Sequence, residues 1–358
     1  MSTDVTAWSG SDDTKITRKT LARIAAGVIA TALVLTLPWL VTDYVLSAIL
    51  VPFLALALAA IGQNLITGYA GQLSVGSAAF MSVGAFAAYD LHLHAPSVPL
   101  LATFAFGGLV AAATGALFGL PSLRIRGFYL VGSTLAAQFF IEWLFTKVGW
   151  FSGDSASGVI TAPPLVVAGI DLSSPGGHYW LSLLVVVPLT IANRNLVRSR
   201  IGRSWMAVRD MEIAAAVVGV PTRRAKLLAF AIGSFYSGVA GALWAFAYLG
   251  TVEPHGFDLD RSFQILFIAI LGGLGSVAGP FLGAAFVVIF PIALDNVAGS
   301  VLGNSVDPGI LENVEKIVFG ALVILFLVKQ PAGLARLVAI AWTRLCRVAR
   351  RVSSASGS

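Results

Sequence analysis

Few residues of this 358-residue chain have the types and spacing for bond-making chemistry. His92 and His94 stand one residue apart. That spacing suits a surface pair better than a zinc site, which needs three or four ligands in a built cage. The single cysteine, Cys346, excludes an internal disulfide and a thiolate cluster. No His-Glu-x-x-His and no Gly-x-Ser-x-Gly occurs. No glycine is followed by lysine, so the chain has no Walker A phosphate loop and cannot hydrolyse ATP by that route. No catalytic set, metal site or resident cofactor is expected. Glu142 is the one carboxylate inside an apolar run, with Lys147 its nearest cation in sequence. An acid there is a functional candidate, and a structural or gate-lining role suits it better than a proton relay.

Small polar groups in apolar surroundings remain. The stretch "GYAGQLSVGSAAFMSVGAFAAY", residues 68–89, has no charge, and thirteen of its 22 residues are Gly, Ala or Ser. Gln72, Ser74, Gly76 and Ser77 lie in it. Lipid cannot satisfy such groups, so they belong against protein or a water path. Gly68, Gly76 and Gly84 recur every eight residues, which on one continuous helix puts them on one face. A second such place is "FQILFIAILGGLGSVAGPFLGAAFVVIF", residues 263–290, where Gly272, Gly273 and Gly275 interrupt the apolar run. Glycine-broken segments in both halves of a chain point to a transport path. A closely packed interior helix is the plainer reading of the first stretch, and both stay open.

The elements that must position these residues are membrane helices. The chain is 57% hydrophobic and 11% charged, against about 25% charged in soluble domains. Only Asp43 and Asp90 are charged between Ile24 and Leu123. Apolar runs near 23–41, 44–66, 68–90, 98–120, 127–147, 178–195, 226–250, 263–295 and 314–330 predict an all-α polytopic protein of about 8–10 membrane helices with Gly-broken segments. With the amino terminus inside, 20 of 23 Lys and Arg fall on the inner side. The basic balance then reports orientation and anionic lipid, not nucleic acid. The run before the Gly break is too short to cross, so a half-helix that dips in, followed by a helix returning outward, is expected. The parts are a polar cytoplasmic tail (1–22), a transmembrane domain (23–333) and a basic cytoplasmic tail (334–358). That last tail reads as a helix lying on anionic lipid or as a solvated end.

The sizeable inner loop, 194–226, reads "RNLVRSRIGRSWMAVRDMEIAAAVVGVPTRRAK". A short helix is expected from about Val208 to Val218, with Asp210 and Glu212 at its positive end and Gly219 and Pro221 at its stop. Ala214, Ala215 and Ala216 would give it a smooth face for a soluble partner. A solvated connector is the alternative.

Glu212, Ala214, Ala215 and Gly219 resemble the Glu-Ala-Ala…Gly coupling loop of ABC importer permeases. The segment "VRDMEIAAAVVGVPTRRAKLLAFAIGSFYSGVAGALWA" resembles the branched-chain amino acid permease family, M type. So do "GYAGQLSVGSAAF", "LRIRGFYLVGSTLA", "LGGLGSVAGPFLGA" and "KQPAGL", in order over about Tyr44 to Leu334. The resemblance implies the ABC importer permease architecture in a bacterial inner membrane. It implies a coupling loop at Arg209, Asp210, Glu212, Ala214, Ala215, Ala216 and Gly219. It also implies a second permease subunit, two ABC ATPase subunits that supply ATP and Mg, and an extracytoplasmic substrate-binding protein. The cargo would be branched-chain or related amino acids. A urea or amide importer and an ion-coupled secondary transporter are the alternatives.

Overall fold

A computed structural model of the chain describes residues 36–123, 128–148, 159–162, 165–167 and 169–302, with 317–318, 320–321, 324–325, 328, 333–338 and 340 beyond them. The expected tail 1–22, most of the spans expected at 23–41 and 314–330, and most of the basic tail lie outside the described residues.

An uncharged backbone in lipid must satisfy its own hydrogen bonds, and a helix does so within one segment. Four described helices are long and apolar enough to cross a membrane: α1 (Asp43–Tyr69), α3 (Leu100–Gly119), α5 (Pro175–Arg198) and α8 (Thr222–Leu249). Between them stand α2 (Ser77–His94), α4 (Phe128–Lys147), and the short α6 (Arg200–Asp210) and α7 (Glu212–Val217). The chain then continues through α9 (Leu259–Gly272) and α10 (Gly279–Leu302). Strand among the described residues is confined to three short pieces before α5 and one after α8. Ile160–Thr161 pairs antiparallel with Thr251–Val252, and Val166–Val167 with Ile170–Asp171. The protein is all-α and polytopic, as the composition requires.

Local signals explain the ends. Ser174 starts α5 by accepting a hydrogen bond from the Gly177 N–H at 3.1 Å, with Pro175 at the first position. At the other end of α5, Ser199 accepts from the Ile201 N–H at 3.2 Å and starts α6. The span therefore runs to Arg198 and the next begins at Thr222, so the connection is shorter than the expected 194–226.

Helix α8 is the centre, packed on α1, α2 and α3. Small residues permit this, because lipid gives helices no hydrophobic reason to associate and close packing must do the work. A Cβ placed on Gly84 would lie 2.2 Å from the Gly238 carbonyl oxygen, and one on Gly62 would lie 2.4 Å from that of Gly233. Leu109, Leu117, Tyr129, Leu184 and Ile191 are exposed, forming the apolar outer surface such a bundle presents to lipid.

The two interrupted regions differ. At the second, α9 and α10 fold back on each other: Gly272 lies against Gly279 and Gly283 against the Ile268 carbonyl. This is the expected short helix, break and return. At the first, one expectation fails. Residues 68–90 are not one helix: α1 continues to Tyr69, residues 71–76 are irregular, and α2 starts at Ser77. Gly68, Gly76 and Gly84 therefore do not share a helical face. Gly71 turns the chain at φ +69°, a conformation only glycine adopts readily. Side chains of α1 and α4 satisfy the backbone that this turn frees.

Candidate functional site

Helix α1 carries two adjacent amides, Gln63 and Asn64, and each serves one break. Gln63 donates to the Ser74 carbonyl at 2.7 Å and to the Thr67 hydroxyl at 2.9 Å, while its oxygen accepts from the Ser77 hydroxyl. Thr67 in turn donates to the Gln72 carbonyl at 3.1 Å. Asn64 grips the second break from both sides of its amide. Its nitrogen donates to the Ser276 carbonyl at 2.8 Å, and its oxygen accepts from the Gly275 N–H at 2.8 Å. Both amides lie at the end of α1 where the helix widens to π turns over Asn64–Tyr69, a distortion common at functional sites.

The first turn of α2 has orphan N–H groups, as every helix start does. Ala78 donates to the Ser262 hydroxyl of α9 at 2.9 Å, and Ala79 to the Gln138 oxygen of α4 at 2.7 Å. Ser262 donates to Gln138 at 3.0 Å, and Gln138 donates to the Phe257 carbonyl at 2.8 Å. The Val75 N–H donates to the Thr134 hydroxyl at 3.0 Å. The two broken segments are thus held by adjacent residues of one helix, Gln63 at the first and Asn64 at the second.

The expected path residues lie at these two breaks. Ser74, Gly76 and Ser77 line the first break, and Gly272, Gly273 and Gly275 form the second. Gln72 is buried, with both amide atoms lacking a partner among the described residues. An amide left so is destabilising by about 1–3 kcal/mol. Gln63, Asn64, Thr134, Gln138, Ser262 and Ser276 were not singled out from the sequence. The available signal was an amide in the middle of an apolar run, which marks Gln63, Asn64 and Gln138. Replacing Gln138 by leucine leaves the Ala79 N–H and the Phe257 carbonyl without partners. It is expected to reduce stability by about 2–5 kcal/mol, read as an earlier thermal transition of the detergent-purified protein. An unchanged transition would show that water substitutes for the amide.

The connection after α5 folds as a two-piece arm. The helix expected over 208–218 is split at Met211, where the backbone is extended. Arg209 and Asp210 end α6, so Asp210 does not sit at a helix start. Glu212, Ala214, Ala215 and Ala216 lie on α7, and Gly219, at φ +90°, ends it with an N–H bond to the Ala216 carbonyl at 3.0 Å. Trp205 is fully buried and donates to the Ala225 carbonyl of α8 at 2.9 Å. Lys226 of α8 pairs with Glu212 at 2.8 Å. The arm is therefore bolted to α8 at two points. Of the three alanines, Ala214 and Ala216 are exposed and Ala215 packs inward, and the arm also presents Met211, Ile213, Val217 and Val218, which are 71–84% exposed. Arg209 reaches back to the breaks, donating to the Gly68 carbonyl at 2.8 Å.

Glu142 makes no ion pair with Lys147 among the described residues; its carbonyl accepts from the Thr146 hydroxyl at 2.7 Å. His92 and His94 occupy the last turn of α2.

The family described as branched-chain amino acid transport system / permease component matches residues 45–327. The chain is 33% identical over 253 residues to the Escherichia coli high-affinity branched-chain amino acid transport system permease protein LivM, covering 64% of this chain and 59% of that protein. It therefore spans about three fifths of that relative's length. The autoinducer 2 import system permease protein LsrC of an Enterobacter species is 30% identical over 193 residues, 53% of each chain. The Escherichia coli permease protein LivH, also of the high-affinity branched-chain system, is 32% identical over 105 residues, 29% of this chain and 32% of that one. No solved structure matches. With most of its length, from the first amide-bearing helix past the second break, inside the matched region, the chain belongs to the permease component family of branched-chain amino acid transport systems.

Proposed function

We propose that this chain is the membrane-spanning permease subunit of an ATP-driven importer for branched-chain or related amino acids. Family membership supports the transport role. The name LivM supports the cargo, while the name LsrC leaves a different small solute as the second reading. Relatives named LivM and LivH belong to one system, which supports a second permease subunit as partner.

The observation that carries the coupling is the exposed apolar face of α7, bolted to α8. A six-residue helix has no stability of its own. Ile213 and Val217 on this element, with Met211 and Val218 flanking it, present large apolar side chains to solvent that need a cover. A soluble ATPase with a matching groove is that cover, and two such subunits, loaded with ATP and Mg, would drive the permease pair. The protein then sits in a bacterial inner membrane with the basic end of the bundle and the amino terminus on the cytoplasmic side, and a substrate-binding protein delivers cargo outside. In this reading residues 1–22 and 334–358 are cytoplasmic tails around the 23–333 permease domain.

Ile213→Glu combined with Val217→Glu tests the docking. Both positions are exposed, so the bundle should insert and melt as the parent does. The ATPase subunits should no longer copurify, and ATP-dependent uptake in proteoliposomes should fall at least tenfold. Undiminished uptake by the double variant would remove α7 as the docking element.

A further inference from the structure

Arg209 ends α6 on the arm, yet its side chain lies in the seam between the two broken segments. Its Nη1 donates to the Gly68 carbonyl at 2.8 Å, at the edge of the first break. Its Nε donates to Asp210 at 2.9 Å and its Nη2 pairs with the same carboxylate at 2.9 Å. The glycines around it are cut to its shape. A Cβ on Gly71 would stand 2.7 Å from the Arg209 Cγ, and one on Gly275 would stand 3.1 Å from its Nη1. Both glycines have positive φ. The two breaks also touch each other here, because a Cβ on Gly68 would meet the Gly275 nitrogen at 2.6 Å. Gly333, in the late "PAGL" motif, lies on the same second break, against Gly273.

We propose that Arg209 is the positioning residue that joins the arm to both broken segments, so that movement of α6 and α7 moves the two breaks together. The inference deepens the reading of the arm as an ATPase-driven lever and rests on it. The chemistry requires arginine. The guanidinium fork holds the Asp210 carboxylate with one edge while a separate N–H reaches the Gly68 carbonyl. A lysine ammonium has three N–H donors on one nitrogen and lacks the planar fork that places separate nitrogens at the Asp210 carboxylate and the Gly68 carbonyl. Gln72 beside the seam is buried without a partner among the described residues, and opening the first break would return that amide to water. Asn64 links the second break to α1, so the breaks share one hinge.

The test uses the assembled transporter in membranes, with Cys346→Ser removing the native thiol and Leu274→Cys reporting the second break. Leu274 is 44% exposed and can be reached by a maleimide. In the parent, the labelling rate is expected to change at least threefold between the nucleotide-free and the vanadate-trapped states. With Arg209→Ala it should become independent of nucleotide within about 1.5-fold, and uptake should fall at least tenfold. Arg209→Lys should fall between the two. Gly71→Ala keeps the arginine but fills its slot, and should reproduce the loss of nucleotide dependence. A labelling change that persists in Arg209→Ala, or that is absent from a parent showing ATP-dependent uptake, overturns the proposal. If the parent takes up solute without ATP, the lever reading itself fails, and the inference falls with it.

Discussion

Replacing Gly238 by leucine is expected to abolish accumulation of folded protein. A Cβ at this position would lie 2.4 Å from the Ala111 Cβ and 3.1 Å from the Gly107 carbonyl oxygen, both on α3. A Cβ on Gly84 would lie 2.3 Å from the Gly238 Cα, so α2 and α8 approach backbone to backbone. Space for a side chain could come only from moving α8, and α8 is held on a third side by α1, where a Cβ on Gly233 would meet the Gly62 carbonyl oxygen at 2.8 Å. An extra methylene in a packed core is destabilising by about 1–3 kcal/mol when neighbours can adjust. Here the obstacles are the rigid Ala111 Cβ and the α3 backbone behind it, which places the effect at about 4 kcal/mol or more, a large share of the roughly 5–15 kcal/mol that a folded domain has. Gly132→Leu is the matched control, since Gly132 is on a membrane-length helix with nothing within 4 Å of its Cβ position. Fluorescence-detected size exclusion of detergent extracts should show the parent peak for Gly132→Leu and only aggregate for Gly238→Leu. A monodisperse Gly238→Leu peak of parent height would mean that the α2–α3–α8 contact is looser than the structure has it.

These contacts also explain what the sequence makes legible. Long uncharged runs specify spans because lipid leaves the backbone no other solution, so α1, α3, α5 and α8 could be placed from composition. The second break could be placed as well, since Gly272, Gly273 and Gly275 sit close ahead of Pro280 and leave a run too short to cross. The first break could not. Its residues are small, neutral and compatible with a helix, and what stabilises the open backbone comes from afar. Thr134 lies 59 positions from Val75, and Ser262 lies 184 positions from Ala78, where the helix after the break begins. A helical pattern is local, whereas this irregular segment is chosen by tertiary hydrogen bonds. The eight-residue glycine spacing misled for the same reason, as it presumed the continuity that Gly71 ends.

The arm shows a related limit. Asp210 and Glu212 both looked like residues for one helix start, but the extended backbone at Met211 gives them to different helices. Asp210 then faces Arg209 and Glu212 faces Lys226. Charge pattern alone could not assign these pairs, because Arg209, Arg223, Arg224 and Lys226 were all within reach in sequence. The consequence is functional: one acid stays with the seam between the breaks, and the other ties α7 to the central helix.

That second pair supports the other large prediction. The Lys226 side chain is 10% exposed and that of Glu212 is 25% exposed. Glu212→Ala would leave the ammonium without its carboxylate in a place water barely reaches. Breaking a fully buried pair is destabilising by about 3–5 kcal/mol, and the residual exposure of Glu212 reduces this to about 2 kcal/mol. The local effect on α7 is larger than that figure implies. With six residues, α7 cannot hold itself as a helix, and Ala215 is its buried side chain among the described residues. Uptake should therefore fall at least tenfold in Glu212→Ala while the bundle still inserts. Lys226→Met should be milder for stability, because Glu212 can turn to solvent. The double variant Glu212→Gln with Lys226→Met removes both charges and should melt later than Glu212→Ala, with coupling of about 1–2 kcal/mol between the sites. Its uptake should stay low, since the charge pair that ties α7 to α8 is still gone. Strictly additive melting shifts would show that the pair is not coupled, and full uptake by the double variant would show that force reaches α8 through Trp205 instead.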